Sequence, residues 1–110
     1  PGLLESVYQR CLSEEFKTQR ISFQSQLFVP VIYKSIELDI DLRCDFIVEG
    51  CIVVEIKAVE NMHPIYDAQV LSYMKLLNVP KGILINFHSV NIFKDGQKTF
   101  VNELFRELKD

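Results

Sequence analysis

Glu55 and Lys57 do not fit their own segment. Ile52-Val53-Val54-Glu55-Ile56-Lys57-Ala58-Val59 is otherwise an almost continuous apolar run, the pattern of a strand buried on both faces. Strand side chains alternate, so Glu55 and Lys57 share one face. A lone buried charge is expensive and needs a partner or a metal ion. Asp45, in Arg43-Cys44-Asp45-Phe46-Ile47-Val48, is likewise flanked by apolar residues. It precedes Glu55 by ten positions across a turn at Glu49-Gly50, so the two carboxylates lie on adjacent antiparallel strands. If they share a face they repel each other, and a divalent cation relieves that repulsion. All-oxygen ligands favour Mg²⁺ or Mn²⁺ over zinc. Lys57 would then stand beside an attacking water, able to orient it or help deprotonate it, an arrangement suited to phosphodiester hydrolysis. The same residues also fit a structural Glu55–Lys57 ion pair. Glu15-Phe16-Lys17 and Glu107-Leu108-Lys109 repeat the spacing, but in helical segments where it means little.

Register decides between these readings. A two-residue turn at Glu49-Gly50 would pair Asp45 with Val54 and put the two acids on opposite faces. A three-residue loop, or one bulge, puts them on the same face. The expectation is an odd-length loop in which Gly50 supplies a positive φ.

Two helical segments bring further polar residues inward. From Gly2 to about Gln19, Leu4, Val7, Tyr8, Cys11, Leu12 and Phe16 recur at three- and four-residue spacing. At about 100° per residue, Glu5 falls between Leu12 and Phe16, inside the apolar stripe, and Glu15 projects there too. From Pro64 to Leu77, Gln69 lies at the centre of a face made by Ile65, Tyr66, Tyr73, Leu76 and Leu77. Gln69 and Tyr73 read either as a core amide with a half-buried tyrosine or as a pair aimed at the charged end of the sheet. Pro64 suits the first helical position, and Asn78 with Pro80 ends the helix.

The remaining elements follow from composition. Phe23 to Tyr33 reads as a strand that Pro30 makes an edge or bulged one. Ile36 to Val48 reads as a second strand, and Gly82 to Phe87 as a short buried one. The tail has a turn at Asp95-Gly96 and a short helix from Asn102. The order is helix, three strands, helix, strand. The predicted fold is mixed α/β, an antiparallel meander joined to one parallel strand through a βαβ unit, flanked by helices.

At 110 residues the chain allows one domain, spanning 1–110, with a short native segment before Pro1 allowed for because no Met opens it. No apolar run approaches the roughly 18–20 residues that span a bilayer, and no signal peptide is visible. Cys11, Cys44 and Cys51 form no CxxC and read as reduced core thiols of a cytoplasmic protein, with a Cys44–Cys51 bridge as the alternative. His63 and His88 lack zinc spacing with the cysteines and read as surface or capping residues. No GxSxG, P-loop or GxGxxG occurs. Twelve basic and 15 acidic residues leave a net charge of −3, which argues against a strong nonspecific DNA coat. Without Glu5, Asp45 and Glu55 the remainder is neutral. Arg10, Lys17, Arg20, Lys34, Arg43, Lys75 and Lys81 are the residues available for phosphate contacts, and such binding would be modest and salt-dependent.

Gly2-Leu3-Leu4-Glu5-Ser6-Val7-Tyr8 matches a GxxExxY signature, and Asp45, Glu55-Ile56-Lys57 and Gln69-Val70-Leu71-Ser72-Tyr73 follow in order. On these motifs the chain resembles the GxxExxY protein family, a branch of the PD-(D/E)XK nuclease superfamily, from Gly2 to about Asn102. The resemblance implies a restriction-endonuclease-like αβββαβ core. It implies that Asp45 and Glu55 bind Mg²⁺ or Mn²⁺ together with the Ile56 backbone carbonyl, and that Lys57 positions or activates the water. Glu5 would be an accessory acid binding the metal directly or through water, and Gln69, Tyr73 and Tyr8 would position substrate. Cys44 stands where the superfamily name has Pro, and Tyr66 where the family often has His. The implied function is a metal-dependent nuclease acting on DNA in preference to RNA, with no membrane partner and a homodimer as an allowed assembly. A catalytically inactive nucleic-acid-binding or interaction module on the same scaffold is the alternative, and a plain structural domain a third reading.

Overall fold

The structure, a computed structural model, describes residues 2–88 and 96–104. Helix α1 (Gly2–Thr18) is followed by β1 (Phe23–Phe28), a hairpin of β2 (Ile32–Tyr33) and β3 (Ile36–Glu37), then β4 (Arg43–Val48) and β5 (Ile52–Lys57). Helix α2 (Pro64–Leu77), β6 (Lys81–Asn86) and β7 (Gln97–Val101) complete it. The main sheet has the order β1-β4-β5-β6-β7. All its pairings are antiparallel except β5 with β6. The mixed α/β architecture expected from the sequence is therefore present, with β1 at an edge and β5 in the centre.

The central strand separates two apolar cores. On one face, Val53 and Leu84 pack with Val70, Tyr73 and Met74 of α2 and with Val29, Cys44 and Ile47. On the other, Val54, Ile56, Phe46 and Val48 pack with Tyr8, Leu12 and Phe16 of α1. Burial on both faces explains the apolar residues of β5 that flank Glu55 and Lys57. No helix among the described residues is long and apolar enough to cross a membrane.

Helix α2 begins and ends where its cap chemistry dictates. The His63 side chain accepts from the Ile65 N–H, Pro64 opens the helix, and Asn78 closes it in the left-handed region at φ 57. The inward stripe differs from the helical-wheel expectation. Val70, Tyr73 and Met74 are buried, Tyr66 and Leu77 are half-buried, and Ile65 and Leu76 face solvent. The core built around Val53 and Leu84 sits under the Val70–Met74 side, so Gln69 lies at the margin of the stripe. Helix α1 likewise buries a narrower face than expected. Tyr8, Leu12, Phe16 and Glu5 are half-buried, whereas Leu4, Val7, Cys11 and Glu15 are exposed. Cys11 is thus no core thiol. All three cysteines are free, with Cys44 buried and Cys51 partly so.

Two long strands expected from the sequence are each divided. Pro30 has no N–H to give a ladder, and β1 stops at Phe28. The following residues form the small β2–β3 hairpin, whose turn residues Lys34 and Ser35 both take positive φ. Its apolar residues Ile32, Tyr33 and Ile36 are exposed, 60–64% accessible, and form no core face. Strand β7 was hidden in the sequence because Gln97, Lys98 and Thr99 are exposed on a sheet edge and only Phe100 is half-buried. Asp95 of the expected turn, and most of the expected terminal helix, lie outside the described residues.

Gly82 lets α2 approach β6. A Cβ there would meet Val70 Cγ1 at 2.5 Å and Met74 Sδ at 2.8 Å. Overpacking of this kind costs about 1–3 kcal/mol. Gly82→Ala is expected to lower the denaturant midpoint accordingly, without changing the slope of the transition.

A buried acid pair on the central strands

The loop between β4 and β5 sets the site. Val48 pairs with Ile52, leaving the three residues 49–51 as the connection. Glu49 (φ 54) and Gly50 (φ 68) turn it. The odd loop length expected from the sequence is thus present. Continued from Phe46↔Val54, the register brings Asp45 opposite Glu55.

The two acids are interlocked through backbone donors. The Asp45 N–H donates to Glu55 Oε2 (2.7 Å), and the Ile56 N–H donates to Asp45 Oδ2 (2.8 Å). Glu55 is only 2% exposed. Burial, and then the charge of Asp45, push the Glu55 carboxyl from an ordinary 4.5 up to about 8. Burial also raises Asp45, opposed by the Ile56 N–H, the Lys57 charge and the Gln26 amide.

Lys57 lies half-buried two residues along the same strand. Its charge favours the ionised form of both acids. Among the described residues, however, no ion pair joins it to either one. Its Nζ instead lies over the Tyr66 ring, 4.8 Å from the centroid. The Glu55–Lys57 ion pair of the structural reading is therefore not made. Beyond Lys57 the chain is clamped by Asn86, a buried polar residue. Asn86 accepts from the Val59 and His88 N–H groups and donates to the Val59 carbonyl.

Helix α2 supplies the roof. The Gln69 amide donates to the Tyr73 hydroxyl oxygen (3.4 Å), and burial followed by the Glu55 charge raises the Tyr73 phenol. Both residues expected from α2 thus meet, and Tyr73 lies within electrostatic reach of the pair. Lys57, Tyr66, Gln69 and Ser72 line a groove of about 460 Å³ beside them. Helix α1 is different. The Tyr8 ring stacks on Phe87 (4.6 Å) as part of the second core. Glu5 is half-buried on α1. No cluster of three or more His, Cys, Asp or Glu side chains that could hold an ion occurs among the described residues, so Glu5 does not join Asp45 and Glu55.

Three neighbours escaped the sequence reading. The Cys44 thiol donates to the Phe46 carbonyl (3.2 Å). Burial, and then the Glu55 charge, push the thiol upward and keep it protonated. Gln26 of β1 donates its amide to Asp45 Oδ1 (3.4 Å). Asn86 had one available signal, a polar side chain closing the apolar run Ile83-Leu84-Ile85. Two neighbouring carboxyl groups beside Lys57 are an oxygen donor set of the kind that fits a hard cation, which would complete its shell with water and substrate phosphate oxygens.

The raised Glu55 value has a sign. The folded form keeps this proton where the unfolded chain loses it. The Glu55 contribution to stability is therefore fully present below about pH 4.5, is lost as pH rises toward about 8, and levels above. Glu55→Gln keeps an oxygen acceptor for the Asp45 N–H but does not titrate. Denaturation at pH 5, 7 and 9 should show the difference between wild type and Glu55→Gln growing with pH in the variant's favour. A constant difference would contradict the raised value.

A family model described as the PD-(D/E)XK nuclease superfamily matches residues 1–100. No curated protein and no solved structure matches the chain. The match covers the whole αβββαβ core, including the acid pair and the ExK triplet Glu55-Ile56-Lys57. The chain belongs to the PD-(D/E)XK nuclease superfamily.

Proposed function

We propose that this chain is a Mg²⁺- or Mn²⁺-dependent nuclease of the GxxExxY branch, hydrolysing phosphodiester bonds of DNA in preference to RNA, in the cytoplasm. The observation that carries this is the Asp45–Glu55 apposition across a three-residue loop, with Lys57 beside it and both carboxyls raised by burial. Superfamily membership supports nucleic acid as substrate.

Asp45 and Glu55 would hold the ion, with the Ile56 carbonyl as a further oxygen. The ion would supply charge neutralisation at the scissile phosphate and an acidified water. Lys57 orients that water for attack on phosphorus and offsets charge on the phosphate oxygens. The new P–O bond replaces the one to the leaving oxygen, which takes up a proton. Gln69 and Tyr73 contact the phosphate or its water from α2. Glu5 and Tyr8 would act from the α1 side once substrate extends the site. The Cys44 thiol and Asn86 hold Glu55 and the end of β5 in place. Lys17 and Arg43 are already committed to Glu14 and Asp41, so phosphate contacts outside the site would fall to the other basic residues.

One observation favours the alternative of an inactive nucleic-acid-binding or interaction module, namely the absence of a third acid beside the pair among the described residues. That reading predicts binding without turnover. The two are separated by incubating duplex DNA, single-stranded DNA and RNA with the protein and Mg²⁺ or Mn²⁺. Cleavage is expected on DNA, with Asp45→Ala and Lys57→Ala each reducing it by about a hundredfold or more. Equal activity in all three proteins would refute the assignment.

A further inference from the structure

Among the described residues, six other than glycine take positive φ. Five lie where the chain turns: Arg20 after α1, Lys34 and Ser35 between β2 and β3, Glu49 in the β4–β5 loop, and Asn78 at the end of α2. The sixth, Gln26 (φ 51), lies inside a strand. Non-glycine residues seldom adopt this conformation, and where they do it is held in place by surrounding structure, often at functional sites.

Gln26 stands opposite Asp45. The β1–β4 pairing runs from Ser25↔Phe46 to Leu27↔Cys44, omitting Gln26 and Asp45 without adding a residue to either strand. Three consequences appear on β4. Its alternation breaks, because Cys44 and Ile47 both enter the α2-side core while Phe46 enters the other. The Asp45 N–H reaches the Glu55 carboxylate, and the Asp45 carboxylate reaches the Ile56 N–H. The Gln26 amide then meets the remaining Asp45 oxygen. Gln26 itself is exposed, so core packing does not account for its backbone.

We propose that Gln26 is a positioning residue. Its left-handed backbone lifts one residue of β1 out of the ladder, so that Asp45 is free to lock onto Glu55 and Ile56, and its amide steadies the outer oxygen of Asp45. The consequence for catalysis rests on the nuclease reading; the consequence for the geometry of Asp45 does not.

Two substitutions separate backbone from side chain. Gln26→Gly keeps positive φ without steric conflict and removes the amide. Gln26→Val disfavours positive φ, because a β-branched residue is a strong outlier there. The measurements are the Asp45 amide-proton resonance of ¹⁵N-labelled protein without metal, the melting temperature, and kcat and KM on the DNA that wild type cuts. The short bond to Glu55 places the wild-type Asp45 resonance far downfield. Gln26→Gly is expected to keep that resonance, to melt a few degrees higher, and to lose about threefold in kcat. Gln26→Val is expected to lose the resonance and about tenfold or more in kcat, the size seen when a residue behind a metal ligand is removed, with KM little changed. A Gln26→Val protein with the wild-type resonance and kcat would overturn the proposal, and so would a Gln26→Gly protein that loses the resonance. If Gln26→Val does not fold, Gln26→Gly alone decides, and a melting temperature below wild type overturns it. A wild type that cuts nothing defeats the nuclease reading and the catalytic role of the kink together, and the resonance still decides whether the kink positions Asp45.

Discussion

Two carboxyl groups stand side by side across the pairing of β4 with β5, and one of them, Glu55, is almost sealed from water. Two like charges in a weakly polar interior cannot both ionise without compensation. This chain compensates with directed donors. Backbone N–H groups of Asp45 and Ile56 each serve the opposite carboxyl, Lys57 contributes positive charge from nearby, and burial with the Asp45 charge shifts Glu55 toward its protonated form. A fold selected only for stability has no use for such a pair, since well-packed apolar residues are often equal or better in that place. Such a pair is an oxygen donor set of the kind a hard cation takes, with Glu55 on the central strand of the sheet.

The remainder of the structure keeps that pair in register. Strand β5 is gripped on both faces by cores that include α1 and α2, so its side chains cannot slip by one residue without turning Glu55 and Lys57 out of the site. Gly82 brings α2 close enough for Tyr73 to sense the Glu55 charge. Asn86 ties the segment after Lys57 to the end of β6. The edge strand β1 yields its regularity at the point facing Asp45. Rigidity on one side and a local defect on the other both converge on Asp45 and Glu55.

Much of this was legible in the residues, for identifiable reasons. Helix α2 was bounded correctly because Pro64 and Asn78 carry strong backbone preferences at its two ends. The odd loop followed from asking which register lets Asp45 face Glu55, and Gly50 marked where it turns. Other features left weaker traces. Exposed Ile32, Tyr33 and Ile36 imitate a buried strand because β-branched and aromatic composition does not say which face is covered. Strand β7 is polar because it closes a sheet edge. On α1 the helical wheel could not tell the half-buried Glu5 from the exposed Glu15, because both project into one stripe and only packing against the second core distinguishes them. The kink at Gln26 had no signature at all, since glutamine does not announce a left-handed backbone.

Calorimetric titration of Mn²⁺ at pH 7 into wild type and Asp45→Asn, in two buffers of different ionisation enthalpy, tests most directly whether the acid pair binds an ion. One saturable site is expected in wild type, releasing about one proton per ion because Glu55 must give up the proton it holds with a value near 8. Asp45→Asn should weaken that site at least tenfold. No saturable binding in wild type, or binding of equal strength in both proteins, would contradict the account.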